Sequence, residues 1–426
     1  MKKNKSKILY KLLIINVLSV SILLNAQSVY QPVLPYSCLH TVDNLIYYPS
    51  SDSTTYDAFF SKLDRLLFQG KGKVTILHLG GSHIQAGVWS GQVRKNLLSL
   101  CPGIVGSRGL IFPFSAAKTN NPSNYITTSS GNWDMCKNTQ HDAKYPMGLS
   151  GISLATTDPN AKIAIKMRNK DGILYNFTTV WLLATCESDA IIPVLSSGED
   201  EIEGDYYPEK MAYLFEFKEP IDSFSLSFHL RDNFSKPFIL RGFWLDNHLN
   251  GLTYVDIGVN GAKLPSYLRC QYLENDLKFV KPDLVILSIG VNDAHTDKFD
   301  TLAFQTNYKS LISRIRSVSP NCAILFTTNN DTYRKASRRS YVNNVNGYWA
   351  QQSFYSLARY YHTGVWDLFD FMGGLTSIKN WQSDGLARPD RVHFTASGYL
   401  LLGDALYNAI VNEYVNYLQR KRKRLQ

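Results

Sequence analysis

The stretch 74-VTILHLGGSHIQAG-87 decides how the chain folds. Its first part, 74-VTILHL-79, is a short apolar run that stops abruptly at Gly80-Gly81-Ser82-His83. Such a run, closed off by glycines, reads as a strand buried on both faces, the kind that parallel sheets use. His78 lies within it, where an imidazole is normally a satisfied core group. Ser82 falls in the turn that follows. It is either a reactive serine presented at a sheet edge or an ordinary loop serine, and the rest of the chain has to decide.

The same pattern recurs further on. Apolar strands are predicted at 252-LTYVDI-257, 284-LVILSI-289, 323-AILFTT-328 and 365-VWDLFDF-371. Helices are predicted over residues 57–69, 84–100, 304–318, 340–361 and 396–420, the first ending at Gly70-Lys71-Gly72. Buried strands alternating with helices give an α/β class with a parallel sheet covered on both faces. Residues from about 110 to 245 differ. They are rich in Thr, Ser, Asn, Gly and aromatics, and carry short strand-like pieces such as 162-KIAIKM-167, 212-AYLFEF-217 and 223-SFSLSFHL-230. Many short strands with turn signals between them predict an all-β sandwich. The expected organisation is an α/β domain, residues 27–112 and 248–426, interrupted by a β insert at 113–247.

A length of 426 residues fits two domains, and 44% hydrophobic residues is ample for packed cores. Residues 1–26 have the layout of a secretory signal peptide: five lysines, an apolar run from Leu12 to Leu24, then Asn25-Ala26. That run is too short to favour a membrane span. Its removal lowers the net charge from +10 to +5, and 420-RKRKR-424 holds five positive charges of its own. The remainder is near neutral, so the basic balance does not mark a nucleic-acid binder. The basic end reads as the solvated tip of the last helix. Six cysteines contain no CxxC pair, which supports neither a zinc knuckle nor a redox motif, and their spacing assigns no disulfide.

Polar groups cluster after three of the strands: Ser82 after the first, Gly258-Val259-Asn260-Gly261 after the second, Gly290-Val291-Asn292-Asp293 after the third. In an open parallel sheet the carboxyl ends of the strands share one edge, and ligands bind there. The fourth piece is 390-DRVHFTASGY-399. Three positions apart in a turn, the Asp390 carboxylate reaches Nδ1 of His393 and leaves Nε2 free to take a proton from a serine. Backbone N–H groups of Ser82 and Gly258, with the Asn292 amide, are the expected donors to a negative oxygen. His83 and Asp293 flank these positions. Asp384 is a second candidate acid, and Trp133, Trp181 and Trp244 are candidates for a sugar-stacking platform or for core packing.

Taken together, these residues resemble the SGNH (GDSL) hydrolase superfamily, whose four blocks centre on Ser, Gly, Asn and His. They match Ser82 in GGSH, Gly258 in DIGVNGA, Asn292 in GVND and His393 in DRVH. The resemblance covers about residues 57–112 and 248–418. It implies a flavodoxin-like three-layer domain, a triad of Ser82, His393 and Asp390, and ester hydrolysis with no metal or other cofactor. The SHIQAG form, the export segment and the β insert also resemble bacterial peptidoglycan and polysaccharide O-acetylesterases. That implies an acylated glycan or peptidoglycan substrate and a periplasmic or secreted location. One departure stands out. The family usually has Asp before the serine, where it helps hold the turn, and here the residue is Gly81. The β insert is a candidate glycan-binding domain that positions the polymer. A glycan-binding protein that grips through this insert over a weakened site, which Gly81 favours, and an acyltransferase with the same triad remain alternatives.

Overall fold

The computed structural model describes residues 28–168, 172–186, 190–231, 236–335, 337 and 340–426. The signal-peptide reading of residues 1–26 lies outside the described residues. Five parallel strands form the central sheet: Lys73–Gly80, Gly251–Gly258, Leu284–Ser288, Ala323–Thr327 and Gly364–Trp366. Numbered along the sequence, they lie side by side in the order 2-1-3-4-5, with a short antiparallel strand, Ile46–Tyr47, at the far edge. This is the flavodoxin-like order, and its switch point falls between Lys73–Gly80 and Leu284–Ser288. The strands are apolar because helices cover both sides, and Val74, Ile76, Leu77 and Leu79 are fully buried. The helix Asp57–Gln69 buries Phe59, Phe60, Leu63 and Leu66 on one stripe and ends at Gly70, whose left-handed backbone (φ 63°) lets its N–H return to the Leu66 carbonyl.

Two antiparallel sheets make up the β insert. One has five strands and runs from Asp200–Glu203 through Ser223–Leu230 to Tyr125–Ser130. The other has seven, with Phe177–Cys186 and Phe238–Asp246 at its centre. They pack face to face through aromatic contacts: Phe224 lies 5.2 Å from Phe243 and 5.9 Å from Phe177, and Phe228 lies 5.0 Å from Phe238. The strand Gly109–Ile111, expected in the α/β part, joins the seven-stranded sheet by pairing with Phe238–Asp246. A buried ion pair ties the sandwich to the α/β domain. Arg241 Nε is 3.2 Å from Asp276 Oδ1 on the helix Leu273–Val280, and Asp276 Oδ2 accepts the Leu149 N–H at 2.9 Å.

Several boundaries differ from expectation for local reasons. The predicted helix 84–100 is two helices, Ser82–Gln85 and Trp89–Leu98, separated at Gly87 with φ 66°. The predicted strand 365–371 ends at Trp366, because the Asp367 side chain accepts the Asp370 N–H and caps a short helix, Leu368–Phe371. The helix predicted from residue 340 begins at Asn346, after a small hairpin of Tyr333–Lys335 with Tyr341–Asn343. The last helix runs Ala396–Leu425, and its basic end pairs back onto the first helix, Lys421 with Asp64 and Arg424 with Asp57. Among the described residues no two cysteines form a disulfide. Among the described residues no helix is long and apolar enough to cross a membrane.

Candidate active site

Sheet register brings the polar turns together. Gly80 pairs with Gly258 on one side and Ser288 on the other, so the segments after these three strands leave the sheet at one edge. The first of them starts the four-residue helix Ser82–Gln85, whose Ile84 and Gln85 N–H groups return to the Gly81 carbonyl at 3.1 and 3.0 Å. Tyr267, fully buried, donates its hydroxyl to the Gly80 carbonyl at 2.8 Å. A Cβ on Gly258 would stand 2.4 Å from the Gln85 nitrogen and 2.4 Å from the Gly81 carbonyl oxygen. Only glycine allows this strand end to approach the serine turn so closely.

Ser82 Oγ lies 2.8 Å from His393 Nε2, although 311 residues separate them. His393 Nδ1 lies 2.9 Å from Asp390 Oδ2. The other carboxylate oxygen accepts the backbone N–H groups of Val392 (2.9 Å) and His393 (3.0 Å). Arg391 makes this tight loop by adopting φ 55°, and its guanidinium is held over the Tyr333 ring and by Gln382 Oε1 at 3.0 Å. Burial pushes the Asp390 carboxyl up, but the hydrogen bonds from the His393 ring and from the two N–H groups outweigh it and hold the carboxyl below the usual carboxylate range. Asn330 supports the loop from behind, donating from Nδ2 to the Val392 carbonyl at 2.9 Å.

A cleft of about 700 Å³ opens over Ser82 and His393. Asn292 lines it, in a short helix that starts after Gly290. Gly290 has φ 143°, and a Cβ there would meet Asn329 Oδ1 at 2.8 Å. Asn292 Nδ2 spends one N–H on the Ala262 carbonyl at 3.0 Å, which leaves the second available. Gly258 does not reach the cleft, contrary to the sequence expectation. It is the buried end of its strand, and Gly261 lines the cleft instead, with φ 79°. Among the described residues neither the Ser82 nor the Gly261 N–H donates a hydrogen bond. Asn120, Asn121, Asn260, Arg388 and Tyr399 complete much of the wall. No motif marks these residues. Asn120 and Asn121 come from the loop leading into the sandwich. The buried Gln85 clamps that loop to the serine turn, accepting the Asn260 N–H at 2.7 Å and donating to Thr119 Oγ1 at 2.8 Å.

Gly81 has an ordinary φ of −104°, and a Cβ there would find its nearest atom, Asn292 Nδ2, at 3.6 Å. Neither strain nor crowding requires glycine at this position. Tyr267, Gly258 and the helix bonds to the Gly81 carbonyl hold the turn without a side chain at residue 81. His78 is a fully satisfied core histidine, with Nδ1 at 2.7 Å from the Tyr254 hydroxyl and Nε2 at 2.7 Å from Ser288 Oγ. His83 packs on the His393 ring at 5.2 Å and shares Nδ1 with the Tyr399 hydroxyl at 2.8 Å. Burial, reinforced by His393, pushes His83 down to about 3, so it stays neutral at physiological pH. Asp293 accepts the Leu264 N–H at 3.1 Å and so holds the start of a neighbouring helix, and burial pushes its carboxyl up to about 6. Asp384 contacts the Cys38 thiol. The three tryptophans do not form one platform: Trp181 and Trp244 are cross-strand neighbours, Lys210 Nζ covers the Trp181 ring at 4.0 Å, and Trp133 lies elsewhere.

Residues 240–401 match the model of the GDSL-like Lipase/Acylhydrolase family, a span that holds Asn292, Asp390 and His393 but not Ser82. None of the curated proteins matches the sequence. Among solved structures, a peptidoglycan O-acetylesterase superposes with a TM-score of 0.72 at 21% identity, covering 87% of this chain and 99% of that one. So large a share takes in the sandwich as well as the α/β domain. An acetyl xylan esterase (TM-score 0.31, 24% identity, 37% of this chain, 81% of that one) and a lipase/acylhydrolase from Enterococcus faecalis (0.31, 20%, 38% and 77%) are also similar. Residues 240–401 are thus similar to the GDSL-like lipases and acylhydrolases, and the chain as a whole shares the fold of a peptidoglycan O-acetylesterase.

Proposed function

We propose that the protein is an exported serine esterase that removes acyl groups, above all O-acetyl, from glycans or peptidoglycan. The observation that carries the reading is the Ser82–His393–Asp390 relay, with bonds of 2.8 and 2.9 Å at the mouth of an open cleft. Ser82 Oγ attacks the ester carbonyl while His393 Nε2 takes its proton. Asp390 holds the imidazole in the tautomer that keeps Nε2 available. The Ser82 N–H, the Gly261 N–H and the free N–H of Asn292 receive the negative oxygen of the tetrahedral intermediate. His393 then passes its proton to the departing sugar hydroxyl, and water releases the acyl group from Ser82 by the same steps in reverse. The cleft wall of asparagines, Arg388 and Tyr399 suits a hydroxyl-rich substrate. The likeness to a peptidoglycan O-acetylesterase and the lysine-led apolar start of the chain support the substrate class and the export.

The test is Ser82→Ala against a chromogenic acetyl ester. Hydrolysis should fall to background, and a variant as active as the parent would overturn the assignment. Labelling of the parent by a serine-reactive fluorophosphonate separates this reading from a glycan binder, which would stay unlabelled. Adding an acceptor glycan to the same assay and analysing products separates hydrolysis from acyl transfer.

A further inference from the structure

The sandwich carries a second recess of about 500 Å³, lined by Trp133, Asn132, Tyr145, Lys118, Lys144 and Thr157 among others. Nothing in the relay uses it. We propose that it is a glycan subsite: it binds sugar units that flank the acylated unit of a polysaccharide chain, with the Trp133 ring against a sugar face. The inference builds on the esterase reading and adds that the substrate is a polymer.

The first support is position. One loop serves both cavities, since Ala116 and Lys118 line the recess while Asn120 and Asn121 line the cleft. Lys118 and Asn120 are two residues apart, so their Cα atoms are separated by no more than about 7 Å. The loop is pinned at both ends. Gln85 Nε2 and Asn260 Nδ2 donate to Asn120 Oδ1 at 3.0 and 2.7 Å on the cleft side. Ser115 Oγ donates to the Thr127 carbonyl at 2.7 Å on the sandwich side. The two cavities therefore keep a set spacing.

The second support is chemistry. Trp133 is partly exposed and held in place, its indole N–H donating to the Ser130 carbonyl at 3.1 Å and its ring resting on Phe228 at 6.3 Å. It differs in this from Trp181, whose face is taken by Lys210, and from Trp244, which is buried. Around it stand groups that bond hydroxyls. Tyr145 and Lys144 meet at Asp134 (3.2 and 3.5 Å), and Lys118 has no acidic partner among the described residues. A rigid aromatic floor with a polar rim is the composition of a small-molecule site.

The experiment compares two substrates. Trp133→Ala should lower kcat/KM on O-acetylated xylan or O-acetylated peptidoglycan by about tenfold, mainly through KM, with the rate on a small chromogenic acetyl ester kept. Thr157→Trp, which fills the recess from an exposed position without removing a contact, should reproduce the loss and guards against misfolding of the first variant. Co-sedimentation with the same insoluble polymers, in a Ser82→Ala background, reads binding without turnover. Equal polymer kinetics and equal sedimentation for parent and both variants would overturn the subsite and leave the esterase reading intact. Loss of small-ester activity in Ser82→Ala alone bears on the esterase reading only.

Discussion

Replacing Gly258 with alanine adds one methyl group at the point where the second strand meets the serine turn. That carbon would stand 2.4 Å from two backbone atoms, the Gln85 nitrogen and the Gly81 carbonyl oxygen. Ordinary carbon contacts are about 3.5–4 Å, so something has to move by roughly 1 Å. Neither neighbour is the end of a flexible side chain. Both belong to the helix turn that begins with Ser82, and the strand behind Gly258 is locked in register with Gly80. The serine turn is what gives way. A shift of about 1 Å stretches the 2.8 Å bond from Ser82 Oγ to His393 past hydrogen-bonding range. We expect kcat to fall by about 10²-fold and stability by about 1–3 kcal/mol. Gly81→Ala is the matched control, because its new carbon meets nothing nearer than 3.6 Å. It should keep activity within a few-fold. Steady-state kinetics on a chromogenic acetyl ester and urea denaturation of both variants measure the contrast. The reasoning fails if Gly258→Ala matches the parent, or if Gly81→Ala is the more damaging change. The backbone N–H survives in both variants, so the loss would be steric.

Three further outcomes follow from the site. Asn292→Ala removes one of the proposed oxyanion donors and should lower kcat by about 10²-fold with KM little changed; an unaltered kcat would remove Asn292 from the mechanism. Tyr267→Phe leaves the buried Gly80 carbonyl without its hydroxyl donor, which should cost about 1–3 kcal/mol in urea unfolding and lower kcat by loosening the serine turn. Asp390 has its carboxyl held below the unfolded value of about 3.9, so the stability it contributes is complete above that pH and drains away as pH falls through the folded value. The stability gap between the parent and Asp390→Asn should therefore be constant from about pH 7 to about pH 5 and close below about pH 4. A gap independent of pH would contradict the hydrogen-bonded loop described here.

Local pattern carried much of this protein. Apolar runs such as 74–79 and 284–289 became buried parallel strands, because such runs are stable only between two layers of helices. Asp390 and His393 were legible as a pair, since a spacing of three within one turn needs no distant partner to bring carboxylate and imidazole together. The convergence of Ser82 and Asn292 followed from strand order alone. Other features rested on contacts between segments far apart in the chain. The sequence reading chose Gly258 as an oxyanion donor, and only the packing of that strand end against Gln85 and Gly81 decides that it is a spacer while Gly261, three residues on, faces the cleft. Asn120 and Asn121 stand in a polar loop with no motif, and they reach the cleft because the buried Gln85 reaches across to that loop. The question raised by Gly81 has the same kind of answer. A missing side chain is a local fact, whereas the support from Tyr267, Gly258 and the Ser82 helix exists only where three strand ends meet.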